Sequence, residues 1–105
     1  MVKLYNKLVR DEIPRIIEEG GSSCVTEILS EEAYLKMLDA KLLEELAEYH
    51  ADGNVEELAD LLEVIYAAAE ARGCSREELE NIRQEKARKR GGFRKRILLK
   101  EVRQV

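Results

Sequence analysis

The positions of the helix-breaking residues constrain this fold more than any other feature of the sequence. The chain has one proline and six glycines, and the glycines fall at only four points, residues 20–21, 53, 73 and 91–92. The stretches between these points are dominated by Leu, Ala, Glu, Lys and Arg, which favour helices. The sequence therefore predicts a single, mostly α-helical domain over residues 1–105.

Capping residues indicate where the helices begin and end. Asp11 to Pro14 is typical of a helix start, because proline is tolerated in the first turn, and Gly20–Gly21 ends this helix. Ser30 is followed by two glutamates and predicts a long helix that reaches about His50.

The turn residues Asp52 to Asn54 separate this helix from the next one. Asn54 with Glu57 resembles a capping box and predicts a second helix that ends at Arg72. The two helices form an antiparallel helical hairpin in this interpretation. Ser75 repeats the capping-box signal and predicts a third helix that lasts until the glycine pair at 91–92.

Short apolar segments near the two termini are compatible with short strands. Val2 to Val9 alternates weakly, and Val25 to Leu29 is either a strand or a connector. The run Ile97 to Leu99 could pair with one of these N-terminal segments.

The predicted core is thin for a stable monomer. A domain of this length buries only about two thirds of the surface that its unfolded chain exposes. Each hairpin helix also carries a second apolar edge, which includes Tyr34, Leu43 and Tyr66. We therefore expect a helical bundle completed by oligomerisation, with a homodimer as the simplest closed form.

Acidic residues occupy the apolar faces of both hairpin helices. At 100° per residue, Glu45 lies about 20° from Leu38 on the buried arc of the first helix. Glu48 lies at the margin of the same face. Glu57 and Asp60 repeat this arrangement on the second helix. Because an isolated carboxylate on a buried face costs several kcal/mol, four such groups require a cation.

The hairpin brings these acids to matching heights. Glu48 and Glu57 lie at equal distances from the turn, as do Glu45 and Asp60, and packed helices lie about 8 to 10 Å apart. Oxygen-only ligation suits Mg²⁺, and Mn²⁺ is a possible substitute. A di-iron site would need Glu-x-x-His, and His50 follows Glu48 by only two positions. The alternative is that these acids form ordinary solvated helix faces.

Charge is distributed unevenly along the chain. Residues 1–82 carry 8 basic and 20 acidic side chains, whereas residues 83–105 carry 10 basic and 2 acidic ones. Lys86 and Arg90 share one face of the third helix at i, i+4 spacing. A polyphosphate that contacts both magnesium and the guanidinium of Arg90 would use both the acidic part of the chain, residues 1–82, and the basic part, residues 83–105. The alternatives are solvation or nucleic-acid binding, which is disfavoured because Phe93 is the only aromatic residue in the basic run.

The motifs Glu44-Glu45-x-x-Glu48 and Glu57-x-x-Asp60 resemble the EExxE and ExxD signature of the MazG-like all-alpha nucleoside triphosphate pyrophosphohydrolases. The opening Tyr5-Asn6-Lys7-Leu8-Val9-Arg10-Asp11 and the closing segment from Lys86 to Phe93 resemble the small single-domain branch, which is also described as phosphoribosyl-ATP pyrophosphohydrolase-like. The resemblance covers nearly the whole chain.

This resemblance implies a magnesium-dependent enzyme that cuts nucleoside triphosphates into a monophosphate and pyrophosphate, in the role of nucleotide-pool house-cleaning. The chain would assemble as a homodimer or homotetramer. The family pattern implies the following roles: magnesium ligands Glu45, Glu48, Glu57 and Asp60; a water-activating Glu44; and phosphate-binding Lys7, Arg10, Lys86 and Arg90.

Two other functions stay open from the sequence. Phosphoribosyl-ATP pyrophosphohydrolase would share the carboxylate site and differ in substrate, and a non-catalytic helical oligomerisation module would use the acids only for solvation. Cys24 and Cys74 lack metal-ligand spacing, and no signal peptide or long apolar run is present. We therefore expect a cytoplasmic protein with reduced thiols and no membrane partner.

Overall fold

The computed structural model describes residues 1–104, and every regular element in that range is an α-helix. This confirms the predicted helical fold class. The four helices, in chain order, are α1 (Ile13–Glu19), α2 (Glu31–Asp52), α3 (Val55–Ala71) and α4 (Arg76–Arg90).

Local hydrogen bonds explain where the helices begin. The Ser30 hydroxyl accepts from the backbone N–H of Ala33 at 3.2 Å and starts α2. At the start of α4, Ser75 and Glu78 each accept a bond from the other's backbone N–H, at 3.1 and 3.4 Å, so the predicted capping box is present.

The turn between α2 and α3 also follows the sequence signal. Gly53 ends α2 with a φ of 66°, a left-handed conformation that glycine adopts without strain. The Asn54 side chain accepts from the backbone N–H of Glu57 at 3.0 Å. Among the hydrogen bonds of residues 1–104, the backbone N–H of Asn54 donates none to the Glu57 carboxylate, which lies with other acids of α2 and α3, so the predicted capping box is only half formed.

The short strands that the sequence left possible are absent from the part of the chain that the structure describes, so that alternative is wrong. Val2–Val9, Val25–Leu29 and Ile97–Leu99 adopt no regular structure there, so Val25–Leu29 is a connector. Strands are stabilised by hydrogen bonds to a neighbouring strand. These three segments are largely exposed and do not pair with one another, which leaves their β-forming residues without a ladder.

Helix packing leaves much of the chain exposed. Within residues 1–104, α3 packs against both α2 and α4, whereas α1 packs against no other helix. Leu38 on α2 is the one hydrophobic side chain there that is almost completely shielded, at 3% exposure. The molecule measures 66 × 31 × 22 Å, which is elongated for its size. None of the described helices is both long and apolar enough to cross a bilayer.

Candidate metal and phosphate site

Five carboxylates converge where α2 and α3 pack together. Oxygen atoms of three α2 residues, Glu44, Glu45 and Glu48, lie within 4.8 Å of one another. Oxygen atoms of Glu45, Glu57 and Asp60 form a second group within the same limit. Glu45 belongs to both groups, so the five acids form one continuous cluster, which we call the acid cluster.

The acid cluster contains two buried carboxylate oxygens without a hydrogen-bond partner. Glu45 is buried at 7% exposure, and its Oε2 atom has no partner among residues 1–104. The same holds for Oε2 of Glu57. A buried oxygen without a partner costs about 1–3 kcal/mol, and more when it is charged. The arrangement is therefore unfavourable unless a cation or a proton occupies the space between the carboxylates.

The pKa values of Glu45 and Glu57 reflect the same burial of negative charge without a compensating partner. Burial raises the pKa of Glu45, and the neighbouring Glu48 carboxylate raises it further. Burial also raises the pKa of Glu57, again with a contribution from Glu48. Both effects disfavour the charged form, as expected for acids that share a confined site without a metal.

These raised pKa values predict how the stability of the metal-free protein depends on pH. Above the ordinary glutamate pKa of about 4.3, the folded protein holds protons that the unfolded chain has already lost, so stability falls as pH rises. The Glu45→Gln variant lacks one of these titrations. In EDTA, its melting temperature should exceed that of the wild type by an amount that grows as the pH rises from the ordinary glutamate pKa of about 4.3 towards neutrality. A difference that is constant across this range would contradict the prediction.

Two cations of the N-terminal segment lie against the acid cluster. Lys7 Nζ donates to Glu44 Oε1 at 2.9 Å, and Arg10 Nη2 donates to Asp60 Oδ1 at 2.8 Å. The hydrogen bond from Lys7 lowers the pKa of the Glu44 carboxyl group, and in turn raises the pKa of Lys7. Glu44 is therefore kept ionised beside Glu45, whose charged form is disfavoured.

Lys41 is a third cation at this site, and our sequence analysis gave it no role. Its Nζ lies 3.5 Å from Glu44 Oε2 and 3.4 Å from Glu45 Oε1, with the side chain only 17% exposed. The signal for it was present, because i, i+3 and i, i+4 spacings place a lysine beside the following glutamates on one helix face.

The two other predicted phosphate contacts lie elsewhere. Lys86 and Arg90 are exposed on α4, and neither forms an ion pair with the acid cluster within residues 1–104. Arg90 instead lines a cavity away from the acid cluster, together with residues 91–97. The structure thus brings Lys7 and Arg10 to the acids, and it leaves Lys86 and Arg90 in solvent.

The chemistry of the site follows from its donor set. Oxygen-only ligands around two buried, unpartnered carboxylate atoms fit a hard divalent cation. The neighbouring ammonium and guanidinium groups fit phosphate oxygens. Such a site suits an anionic substrate that arrives together with the cation.

Comparison with known proteins identifies a partial relative only. No family model matches the chain, and no solved structure matches it. A segment of 45 residues is 49% identical to an uncharacterized protein of Mycolicibacterium smegmatis (strain ATCC 700084 / mc(2)155), and this covers 43% of the chain. The matched segment corresponds to 46% of that protein, so the chain spans about half the length of this relative.

Proposed function

We propose that this protein is a magnesium-dependent nucleoside triphosphate pyrophosphohydrolase of the MazG-like type, which releases a nucleoside monophosphate and pyrophosphate. The observation that carries the proposal is the acid cluster with its two unpartnered buried oxygens, next to Lys7 and Arg10. A solvated helix face would leave such oxygens in contact with water. The proposed role is removal of unwanted nucleotides from the cellular pool.

The proposed architecture is an antiparallel α2–α3 hairpin within an oligomeric bundle. Two contacts support the antiparallel orientation: Asp39 lies 3.7 Å from Arg72, and Glu45 lies beside Asp60. A step forward along α2 therefore corresponds to a step backward along α3. The extensive exposed apolar surface supports completion of the bundle by further copies of the chain.

Four acids would hold the magnesium ion: Glu45, Glu48, Glu57 and Asp60. Manganese has similar ligand preferences and could replace it. When bound, the ion supplies positive charge that stabilises phosphate oxygens and lowers the pKa of a coordinated water. Binding would also compensate the two buried oxygens, so magnesium should raise the melting temperature of the wild type.

Glu44 is the proposed base. Glu44 is ionised at neutral pH, as an ordinary glutamate is, and the hydrogen bond from Lys7, which lowers its pKa, holds it in that form, so its carboxylate can orient a water molecule or accept its proton. The water oxygen then bonds to the α phosphorus as the anhydride bond between the α and β phosphates breaks, and pyrophosphate leaves. Lys7, Arg10 and Lys41 would neutralise the charge that develops on the phosphate oxygens.

Within one chain Lys86 and Arg90 lie away from the acid cluster, so they are proposed to bind the phosphates held by a neighbouring copy of the chain, through charge-assisted hydrogen bonds. Replacing Arg90 by alanine should reduce kcat/KM for triphosphates by at least about tenfold, since such bonds contribute about 1.5–3 kcal/mol. Arg88→Ala is the matched control, because Arg88 already pairs with Glu85 at 2.6 Å on the same helix. An unchanged kcat/KM for Arg90→Ala would reassign the basic run to solvation or to nucleic-acid binding.

A substrate panel tests the proposed activity. Purified protein is incubated with magnesium and with canonical and modified triphosphates, and pyrophosphate and orthophosphate are measured separately. Pyrophosphate as the product, lost in EDTA, is the expected result. Orthophosphate as the sole product would overturn the assignment. Turnover of phosphoribosyl-ATP alone would identify the biosynthetic alternative, and no turnover with no effect of magnesium on melting would favour the non-catalytic module.

A further inference from the structure

A groove runs from the acid cluster along the contact between α2 and α3. It has a volume of about 530 Å³ and begins at Glu45 and Asp60. Its walls include Leu38 of α2 with Val64 and Ala67 of α3. We call this cavity the α2–α3 groove. Because an α-helix rises 1.5 Å per residue, Ala67 lies about 10 Å beyond Asp60 along α3.

The far part of the α2–α3 groove carries an aromatic and cationic surface. The Arg76 guanidinium lies 4.0 Å from the centre of the Tyr66 ring, and both residues line the groove. Tyr34, also half-buried, lines it from α2. Tyrosine rings and guanidinium planes are the surfaces on which proteins stack nucleobases.

The distances fit a nucleotide held at the acid cluster. In a nucleotide, about six bonds of ~1.5 Å join the α phosphorus to the base, so the base lies within about 9 Å of it. A phosphate at Glu45 and Asp60 therefore places the base within one or two turns of Asp60 along α3, since each turn rises about 5.4 Å. Val64, Tyr66 and Ala67 occupy that position.

Charged side chains of both signs line the groove. Arg10 and Lys41 line it with the acids Asp11 and Glu12 and with the acid cluster, and Arg76 lies at the Tyr66 ring, whereas Glu63 and Glu70 line it along α3. These two carboxylates repel phosphates but can accept hydrogen bonds from the N–H groups of a base. A divalent cation on the acid cluster would therefore favour the phosphates at that end, and Glu63 and Glu70 would favour the base further along the groove.

We propose that the α2–α3 groove binds the nucleoside part of the substrate, with the base stacked against the Tyr66–Arg76 pair. This inference rests on the proposed function, because it takes the acid cluster as the phosphate end. It adds to that function the place where the base of the nucleotide is bound. The base is then bound by side chains of α3 and α4.

Equilibrium dialysis tests the groove without requiring catalysis. The probes are AMP, GMP, CMP, UMP and dTMP with magnesium, and ribose 5-phosphate serves as the probe that lacks a base. At least one nucleotide should bind at least about tenfold more tightly than ribose 5-phosphate, because stacking on a protein aromatic is favourable for every base. Equal affinity for ribose 5-phosphate and all five nucleotides, or no binding of any probe, would overturn the proposal.

Variants of Tyr66 locate the binding site. Tyr66→Leu should weaken binding of that nucleotide at least about tenfold and leave ribose 5-phosphate unaffected, because leucine retains apolar bulk but no ring. Tyr66→Phe retains the ring and should bind as the wild type does. Tyr49→Leu, a half-buried tyrosine of α2 outside the groove, is the matched control. Nucleotide affinity of Tyr66→Leu equal to that of the wild type would contradict the inference.

A second variant keeps the test valid if Tyr66→Leu does not fold. Arg76→Gln removes the guanidinium from the face of Tyr66 at an exposed position, and it should weaken nucleotide binding at least threefold. Failure of the groove is separate from failure of the proposed activity. Pyrophosphate release together with equal affinity for ribose 5-phosphate and all five nucleotides would reject only the groove. Tighter binding of a nucleotide than of ribose 5-phosphate, without pyrophosphate release, would reject only the activity.

Discussion

Replacing Glu45 by glutamine is expected to reduce magnesium-dependent pyrophosphate release at least about 100-fold. Loss of a residue that only supports a metal ligand reduces metal affinity or activity about 10- to 100-fold. Glu45 is itself a proposed ligand and belongs to both groups of the acid cluster, so its loss should reduce activity at least as much. Asp60→Asn should have a comparable effect on activity. The measurement is kcat/KM at saturating magnesium, with pyrophosphate as the detected product.

Stability should change in the opposite direction to activity. Glu45 is buried and has an unpartnered oxygen, so removing its charge should leave the metal-free protein as stable as the wild type or more stable. Asp60 is 45% exposed and pairs with Arg10, so Asp60→Asn should change stability only slightly. Melting temperatures in EDTA measure both effects, and they show whether a loss of activity reflects unfolding.

Glu56→Gln is the matched control for these variants. Glu56 precedes Glu57 on α3, is exposed, and belongs to neither carboxylate group among the described residues. It should retain wild-type activity and the wild-type response to magnesium. Wild-type rates for both Glu45→Gln and Asp60→Asn would show that the acid cluster holds no catalytic metal.

The second large effect concerns assembly: the protein is expected to be an obligate oligomer. The chain has an accessible surface of 9828 Å², whereas a compact monomer of its mass has about 6,000 Å². Leu43 of α2 is 69% exposed, and Ile97 to Leu99 are exposed as well. Burial of this surface between copies of the chain is the available source of further stability.

Light scattering across a dilution series tests this expectation. The mass should be at least twice the 12.1 kDa of one chain down to low micromolar concentration. Leu43→Glu places a charge on the expected interface and should lower both the mass and the melting temperature. Lys36→Glu, at a position whose side chain is 77% exposed on the same helix, should do neither. A folded, active and purely monomeric wild type would contradict the prediction.

Local chemistry allowed the helices and the approach of the acids to be predicted from the sequence. Ser30, Asn54 and Ser75 begin their helices through hydrogen bonds to residues three positions ahead, and Gly53 ends α2 within its own turn. These interactions depend only on neighbours in the chain. Helical periodicity then places Glu45 near Leu38 on the buried face, which explains why the acids of two helices could be predicted to meet.

Contacts between distant residues required the tertiary structure. The pairs Lys7–Glu44 and Arg10–Asp60 are 37 and 50 residues apart and involve a segment without regular structure, so no periodicity predicts them. The stacking of Arg76 on Tyr66 depends on how α4 packs against α3.

The segments Val2–Val9, Val25–Leu29 and Ile97–Leu99 also depended on contacts between distant residues. Short apolar runs made strands possible there, but a strand is stabilised only when another strand pairs with it, and the described chain provides none. The sequence by itself determined the helices, the faces of the helices and the acids on them, because those features follow from short-range geometry. The tertiary structure alone decided that Lys7 and Arg10 pair with those acids and where the groove lies, because both depend on the path of the chain outside the helices.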